Sequence, residues 1–89
     1  MKRITVTIGN EYGLHARPAS LLANTASQFQ SEIRIIRQGK EVNAKSIMNL
    51  LLLAAGEGTV IDVSADGNDE EKALEAIRIL IVERKFDEK

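Results

Sequence analysis

Polar and apolar residues alternate near the amino-terminal end of the chain. The apolar side chains of Ile4, Val6 and Ile8 are separated by single threonines. Successive side chains of a strand point to opposite faces, so a period of two is typical of a strand with one buried face. The pattern predicts a first strand over residues 2–8.

The spacing of apolar residues lengthens after a turn-like segment at residues 9–13. They then recur every three or four positions, at Ala19, Leu22, Ala23, Ala26 and Phe29. This spacing predicts a helix over residues 16–28. Because a proline disfavours the α conformation in the residue before it, local rules alone begin the helix at Pro18. Either start leaves His15 at the amino end of the helix.

Two β-rich segments and a short apolar run come next. Residues 33–37 and 40–43 flank a two-residue link, Gln38-Gly39, which is typical of a tight hairpin, and they predict strands two and three. Ser46 then precedes an apolar run that reaches Gly56. A serine cap and a glycine stop predict a short helix, which is too short to span a membrane.

The last third of the chain contains one more β-rich segment and a long helical pattern. Residues 59–65 predict a fourth strand, and a turn separates it from a helix over residues 70–86. Acidic residues at the start of this helix and basic residues at its end suit the helix dipole: Asp69, Glu70, Glu71, Arg84 and Lys85. One helix face is largely apolar, through Ala73, Ile77, Leu80, Ile81 and Arg84.

The order of these elements, βαββαβα, predicts an α/β (α+β) fold of two layers, an open-faced sandwich. The hairpin and the short connections indicate a four-stranded antiparallel sheet with three helices on one face. A chain of 89 residues has room for one core, and it buries roughly 60–65% of the surface that the unfolded chain exposes. We therefore expect a single domain over residues 1–89.

Composition narrows the function classes. The chain has no cysteine and one histidine, so we expect no disulfide and no metal or cofactor site. Twelve basic and 13 acidic residues give a net charge of −1, which offers no broad positive surface to nucleic acid. Threonines interrupt the amino-terminal segment and no small-residue cleavage site follows, unlike in a signal peptide. We expect a cytoplasmic monomer that contacts other proteins and does not insert into membranes.

The single histidine, His15, lies where a glycine-ended loop meets the first helix. A neutral imidazole can attack phosphorus without a helper base. The backbone N–H groups of Ala16 and Arg17 and the Arg17 guanidinium can hold the resulting phosphate. These residues can therefore form a phosphohistidine site. The plain alternative is that His15 merely begins the helix, that Arg17 is a solvated charge and that Pro18 only opens the helix.

The segment around His15 resembles a known active-site signature. The run Gly13-Leu14-His15-Ala16-Arg17-Pro18-Ala19 is similar to that of the HPr family, the histidine-containing phosphocarriers of the bacterial phosphoenolpyruvate-dependent sugar phosphotransferase system. A second run, Val42-Asn43-Ala44-Lys45-Ser46-Ile47-Met48, resembles the segment around the regulatory serine of that family. The resemblance covers nearly the whole chain. It implies a sheet order of 1-4-2-3 and a helix that begins at Ala16 with His15 as its cap.

The resemblance also implies a function. His15 accepts a phosphoryl group on Nδ1 from phospho-enzyme I, which takes it from phosphoenolpyruvate, and passes it to enzyme IIA components for sugar uptake. Arg17 stabilises the phosphate, and the protein is a carrier without turnover of its own. Ser46 is then both a helix cap and the target of an HPr kinase/phosphorylase.

Two surfaces are candidates for docking. In the helix after the serine, Leu50 and Leu53 share one face and can supply the core. The apolar residues on another face are Ile47, Met48 and Leu51. An exposed patch of this kind is typical of a contact site, and deep packing of a leucine-rich run is the alternative. A polar strip follows the first helix through Arg17, Ser20, Asn24 and Ser27. The resemblance implies that the apolar face docks enzyme I and enzyme IIA, and the polar strip can complete that docking surface.

Two alternatives remain open. Asn49 and the apolar run at residues 50–55 depart from the glycine-containing continuation that is usual in sugar-branch members, and they look closer to the nitrogen branch. The chain is then a nitrogen-branch or regulatory paralogue with the same phosphorylated residue. A ligand-sensing domain of the ferredoxin-like or ACT type comes from another class, and His15 is incidental in it.

Overall fold

The computed structural model describes residues 1–88. The strands are β1 (Lys2–Thr7), β2 (Glu32–Arg37), β3 (Lys40–Asn43) and β4 (Val60–Asp66). The α-helices are α1 (Ala16–Ser27), α2 (Ile47–Leu52) and α3 (Glu70–Arg78). Their order along the chain is the predicted βαββαβα, with strand ends shifted by about one residue. None of the helices in this part of the chain is long and apolar enough to cross a membrane.

The four strands form one antiparallel sheet in the order β1-β4-β2-β3. The central strand β4 pairs with β1 on one side, where Val6 faces Ile61, and with β2 on the other, where Ile35 faces Val63. The hairpin partner β3 lies at the edge beside β2. The predicted open-faced sandwich and the order that the resemblance implied are both confirmed.

One hydrophobic cluster lies between the sheet and the helices. Alternate residues of each strand are buried in it, as the period of two predicted, and each helix adds its apolar face. The members of the cluster from the sheet include Val6, Ile33, Ile35, Val42, Ile61 and Val63, and those from α1 and α3 include Ala19, Leu22, Ala73 and Ile77.

Helix α2 is shorter than predicted. It ends at Leu52, and the chain reverses at Ala54, whose φ of 55° is left-handed, so the predicted glycine stop at Gly56 is wrong. Side chains of the β2–β3 hairpin satisfy the last carbonyls: Lys40 Nζ donates to the Leu52 oxygen at 3.1 Å and Arg37 to the Leu53 oxygen at 3.2 Å. These long-range bonds end the helix before the glycine is reached.

The carboxyl-terminal helix also differs from the prediction of a continuous helix to residue 86. Regular α-helix ends at Arg78, and a π-helical turn (Ile79–Glu83) and a 3-10 turn (Lys85–Asp87) follow. All three residues of the last turn have a left-handed φ, at 48°, 57° and 60°, although none is glycine. Phe86 is fully buried within this turn. Its burial offsets the cost of the backbone conformation and folds the tail back over the protein.

Candidate functional site

His15 is the cap residue of α1. Its backbone is extended, and its carbonyl accepts the first helical hydrogen bond from the Ala19 N–H at 2.9 Å. The helix begins at Ala16, as the resemblance implied, and the start at Pro18 from local rules is wrong. A proline in the first turn costs little because the N–H that it lacks would have no helical partner. The imidazole makes no cap bond and is 40% exposed.

A tight loop holds His15 in place. Gly13 has a left-handed φ of 63°, and a Cβ atom there would lie 2.2 Å from the Ala55 carbonyl oxygen. The next residue, Leu14, is buried, and its N–H donates to the same oxygen at 2.8 Å. Only glycine fits this approach. The loop before His15 is thereby fixed to the segment that follows α2.

The predicted phosphate-holding groups meet at the start of α1. Among residues 1–88, the N–H groups of Ala16 and Arg17 have no acceptor, and Pro18 has no N–H. The Arg17 side chain is exposed and makes no hydrogen bond within the same part of the chain. The residues that follow His15 therefore offer two free amides and one exposed guanidinium, the groups that an anion site at a helix start uses.

Three residues that the sequence did not predict complete the surroundings of His15: Glu88 and Tyr12 next to the imidazole, and Asn10 behind Glu88. Nε2 of His15 lies 3.0 Å and 3.1 Å from the two carboxylate oxygens of Glu88. The buried side chain of Asn10 donates from Nδ2 to Glu88 at 3.0 Å and to the Gly13 carbonyl at 2.8 Å. The ring of Tyr12 meets the imidazole edge-on, with 6.0 Å between centroids. No signal in the sequence places Glu88 here, because a glycine-free left-handed turn brings it back.

The charge state of this cluster follows from its hydrogen bonds. The Asn10 amide and the His15 imidazole hold the pKa of the Glu88 carboxyl below its usual range. Glu88 is therefore ionised at neutral pH, although its side chain is only 17% exposed. The site pairs one carboxylate with the imidazole on the side of Nε2.

Ser46 begins α2 as predicted. Its Oγ accepts hydrogen bonds from the backbone N–H of Asn49 at 3.3 Å and from the Asn49 side chain at 2.8 Å. The cap role is confirmed. The serine is half-buried, and the two exposed residues that directly follow it, Ile47 and Met48, are apolar.

Helix α2 has the two faces that its spacing predicted. Leu50 and Leu53 are buried, at 0% and 2% exposure. The apolar residues left exposed are Ile47, Met48 and Leu51, together with Leu52, which the prediction omitted. We call these four side chains the apolar patch. The polar strip on α1 is also at the surface, with Arg17, Asn24 and Ser27 exposed and Ser20 half-buried.

The chain matches a described protein family over residues 2–83, that of the HPr component phosphorylation site of the phosphotransferase system. It is 49% identical to phosphocarrier protein HPr of Xylella fastidiosa Temecula1 over 83 residues, which are 93% of this chain and 92% of the relative. Identity to the HPr of Mycoplasma capricolum is 46% over 83 residues, 93% of each chain. These matches include the His15 loop, and they do not favour the ligand-sensing alternative or the nitrogen-branch alternative.

Solved structures agree. HPr-C-His from Thermoanaerobacter tengcongensis has a TM-score of 0.95 and 49% identity, covering 100% of this chain and 99% of that one. Crh, the catabolite repression HPr of Bacillus subtilis, crystallises as a swapped, intertwined dimer and has a TM-score of 0.75 and 41% identity, covering 93% and 95% of the two chains. Because similar proteins form dimers, the expectation of a monomer gains no support. The family match, the identities and the shared fold lead to one conclusion: this chain belongs to the HPr family of phosphocarrier proteins of the phosphotransferase system.

Proposed function

We propose that the chain carries a phosphoryl group on His15, which it accepts from phospho-enzyme I and passes to enzyme IIA components for sugar uptake. One observation supports this most directly. The imidazole takes no part in capping its own helix, is 40% exposed, and lies beside two backbone amides without acceptors within residues 1–88. Its reactivity is thereby available to a partner in solution.

The transfer needs no proton acceptor in this chain. The lone pair of Nδ1 in the neutral ring forms a bond to phosphorus while the bond from phosphorus to the donor breaks, and the donor keeps that electron pair. The ring then carries the phosphoryl group on Nδ1 and a hydrogen on Nε2. Delivery to enzyme IIA is the reverse, with Nδ1 as the leaving atom. The amides of Ala16 and Arg17 and the Arg17 guanidinium would hold the phosphoryl oxygens.

The apolar patch and the polar strip would form the docking surface for both enzymes. Helices α1 and α2, which carry these two surfaces, contact one another. Exposed apolar side chains grouped on one short helix are typical of contact sites, and the methionine adapts to more than one partner. The carrier domain would span residues 1–89 and work in the cytoplasm, without a metal or cofactor.

Ser46 is the proposed site of regulation by an HPr kinase/phosphorylase. Its hydroxyl already accepts a hydrogen bond at the start of α2, where a phosphate would meet free N–H groups. The same phosphate would bring up to two negative charges beside Ile47 and Met48 in the apolar patch. Regulation would therefore weaken docking more than it weakens the fold.

Incubation with enzyme I and phosphoenolpyruvate labelled in its phosphoryl group tests the carrier function. The protein should gain an acid-labile label and lose it on addition of an enzyme IIA. His15→Ala should gain none, and its circular dichroism spectrum should be unchanged, because His15 is half-exposed and outside the core. Ser46→Ala is the matched control at the other helix start and should be labelled normally. Continued labelling of His15→Ala would refute the proposal.

A further inference from the structure

The carboxyl-terminal tail reaches the reactive ring. Glu88 lies 73 positions after His15, yet both of its carboxylate oxygens are within 3.1 Å of Nε2. The left-handed turn at Lys85–Asp87 directs the tail, and the buried Phe86 anchors it. Three consecutive non-glycine residues with a left-handed φ persist only where surrounding contacts compensate their cost.

The loop before His15 holds the other side of this carboxylate. Asn10 is fully buried, and its amide nitrogen donates both to Glu88 and to the Gly13 carbonyl. One buried side chain therefore ties the tail to the loop that ends at the histidine. A buried amide that bridges two chain segments fixes their relative position, because breaking either bond would leave a polar group unsatisfied.

The hydrogen-bond partners determine the tautomer of the imidazole. An ionised carboxylate can only accept hydrogen bonds. Glu88 is ionised at neutral pH, so the nitrogen that faces it, Nε2, must carry the hydrogen. In the neutral ring the lone pair is then on Nδ1, which is on the other side of the imidazole.

We propose that Glu88 is a positioning residue for phosphoryl transfer: it accepts the Nε2–H of His15 and so presents Nδ1 as the nucleophile. This inference rests on the proposed function of His15. Because this contact is present in the free protein, Glu88 orients the ring before the partner arrives. It also stabilises the positive charge that the ring gains as Nδ1 bonds to phosphorus, while the Nε2–H bond stays intact.

Charges near Glu88 agree with this role. The pKa of the Glu88 carboxyl is lowered by the bond from Asn10, then by His15 and more weakly by Arg17. The pKa of the neighbouring Asp87 is lowered by Arg84 and more weakly by Arg17. Asp87 itself pairs with Arg84, so it is a second tail carboxylate that has no bond to the imidazole. It provides a matched control for the loss of charge alone.

Nitrogen-15 spectra of the histidine ring test the inference without any phosphoryl donor. At mildly alkaline pH, the wild-type protein should show Nε2 protonated and Nδ1 unprotonated, with the Nε2 hydrogen slow to exchange with water. In Glu88→Ala that hydrogen should exchange faster, whereas in Asp87→Asn it should exchange as in wild type. A wild-type ring with its hydrogen on Nδ1 would overturn the inference, even if His15 proves to be the phosphorylated residue.

Transfer kinetics provide the second readout. Glu88→Ala and Glu88→Gln should accept phosphoryl groups from phospho-enzyme I about two- to fivefold more slowly than wild type. The effect is modest because the pair of His15 and Glu88 is partly exposed. Glu88→Asp should recover part of the rate because it keeps the carboxylate, and Asp87→Asn should match wild type. A faster rate in Glu88→Ala would show that the tail obstructs the site, and an equal rate would show that the contact has no role in transfer. Either result refutes the inference and leaves the carrier function intact.

Discussion

The starts of α1 and α2 present two polar side chains in the same position and use them in opposite ways. Ser46 and His15 are both cap residues with extended backbones. The serine hydroxyl accepts a bond from the Asn49 N–H and so serves its own helix, whereas the imidazole makes no cap bond and faces Glu88. A cap side chain thus either stabilises its helix or remains available for chemistry.

Helix length and burial explain the difference. Helix α1 has 12 residues and buries five of them, so packing stabilises it without a side-chain cap. Helix α2 has six residues and buries only Leu50 within its span, so the serine bond is a larger share of its stability. The long helix can leave its first amides free for a phosphate, and the short helix cannot do so at the same cost.

Replacement of Gly13 should disrupt the start of α1 more severely than any other change considered below. In Gly13→Ala the new Cβ would lie 2.2 Å from the Ala55 oxygen at a left-handed φ, and we expect a loss of about 3 kcal/mol or more in the free energy of unfolding. Urea denaturation measures this loss. Gly39→Ala is the matched control, because Gly39 also has a left-handed φ but has no atom within 4 Å of its Cβ position; it should lose about 1–2 kcal/mol. Equal losses would show that the Gly13 contact is unimportant.

Removal of the Arg17 guanidinium should affect chemistry and leave stability unchanged. Arg17 is exposed, and a charge-assisted bond to phosphate is typically worth ~1.5–3 kcal/mol. Arg17→Ala should slow both receipt and delivery by a corresponding factor, measured by rapid-quench kinetics with enzyme I and an enzyme IIA. Arg17→Lys keeps the positive charge but lacks the two parallel N–H donors of the guanidinium, so its transfer rates should lie between those of Arg17→Ala and wild type. Wild-type transfer rates in Arg17→Ala would show that Arg17 is only a solvated charge.

Substitution of Ser46 should produce the reverse pattern, a change in stability without a change in transfer. Ser46→Ala removes the bond to Asn49 and should cost about 1 kcal/mol in thermal or urea unfolding, with near-normal phosphoryl transfer. Ser46→Asp should keep the stability of wild type and accept phosphoryl groups more slowly, because it places a charge beside the apolar patch. Equal transfer rates in the two variants would leave Ser46 as a helix cap only.

The start of α3 uses its cap side chain in a third way. Asp69 is the cap residue, yet its carboxylate accepts bonds from Ser31 and Gln30 in the loop before β2 and makes no cap bond. The Ser31 hydroxyl and then the Gln30 N–H hold the pKa of Asp69 below its usual 3.8.

A group whose pKa is lowered on folding stabilises the fold above its unfolded value, and that contribution is lost as the pH falls through the folded value. Stability should therefore fall as the pH drops below the ordinary carboxyl value of 3.8, and it should fall less steeply in Asp69→Asn. Urea unfolding at a series of pH values measures both slopes. Parallel slopes would show that Asp69 has the same pKa in both states.

Local patterns predicted the features whose cause is local. The order of the elements, the serine cap and the buried and exposed faces of α2 all follow from neighbouring residues, and each is confirmed. The sheet order came from the resemblance, since strand pairing between β1 and β4 depends on distant parts of the chain.

The parts of the site that escaped prediction have long-range causes. Glu88 reaches His15 because Phe86 is buried and the backbone around it is left-handed, and no glycine marks that turn. The end of α2 escaped for the same reason, since Lys40 and Arg37 from the hairpin hold its last carbonyls. Periodicity reports which face of an element is buried, but it does not report what a distant side chain will touch.

The central claim is that the imidazole left free at the start of α1, and not the hydroxyl used at the start of α2, takes the phosphoryl group. The most direct measurement is a phosphorus–nitrogen correlation spectrum of protein with nitrogen-15 in its histidine ring, recorded after reaction with enzyme I and phosphoenolpyruvate. If this claim holds, phosphorus is bonded to Nδ1 of His15 and a hydrogen remains on Nε2. Phosphorus on Nε2, or on the oxygen of Ser46, would contradict it.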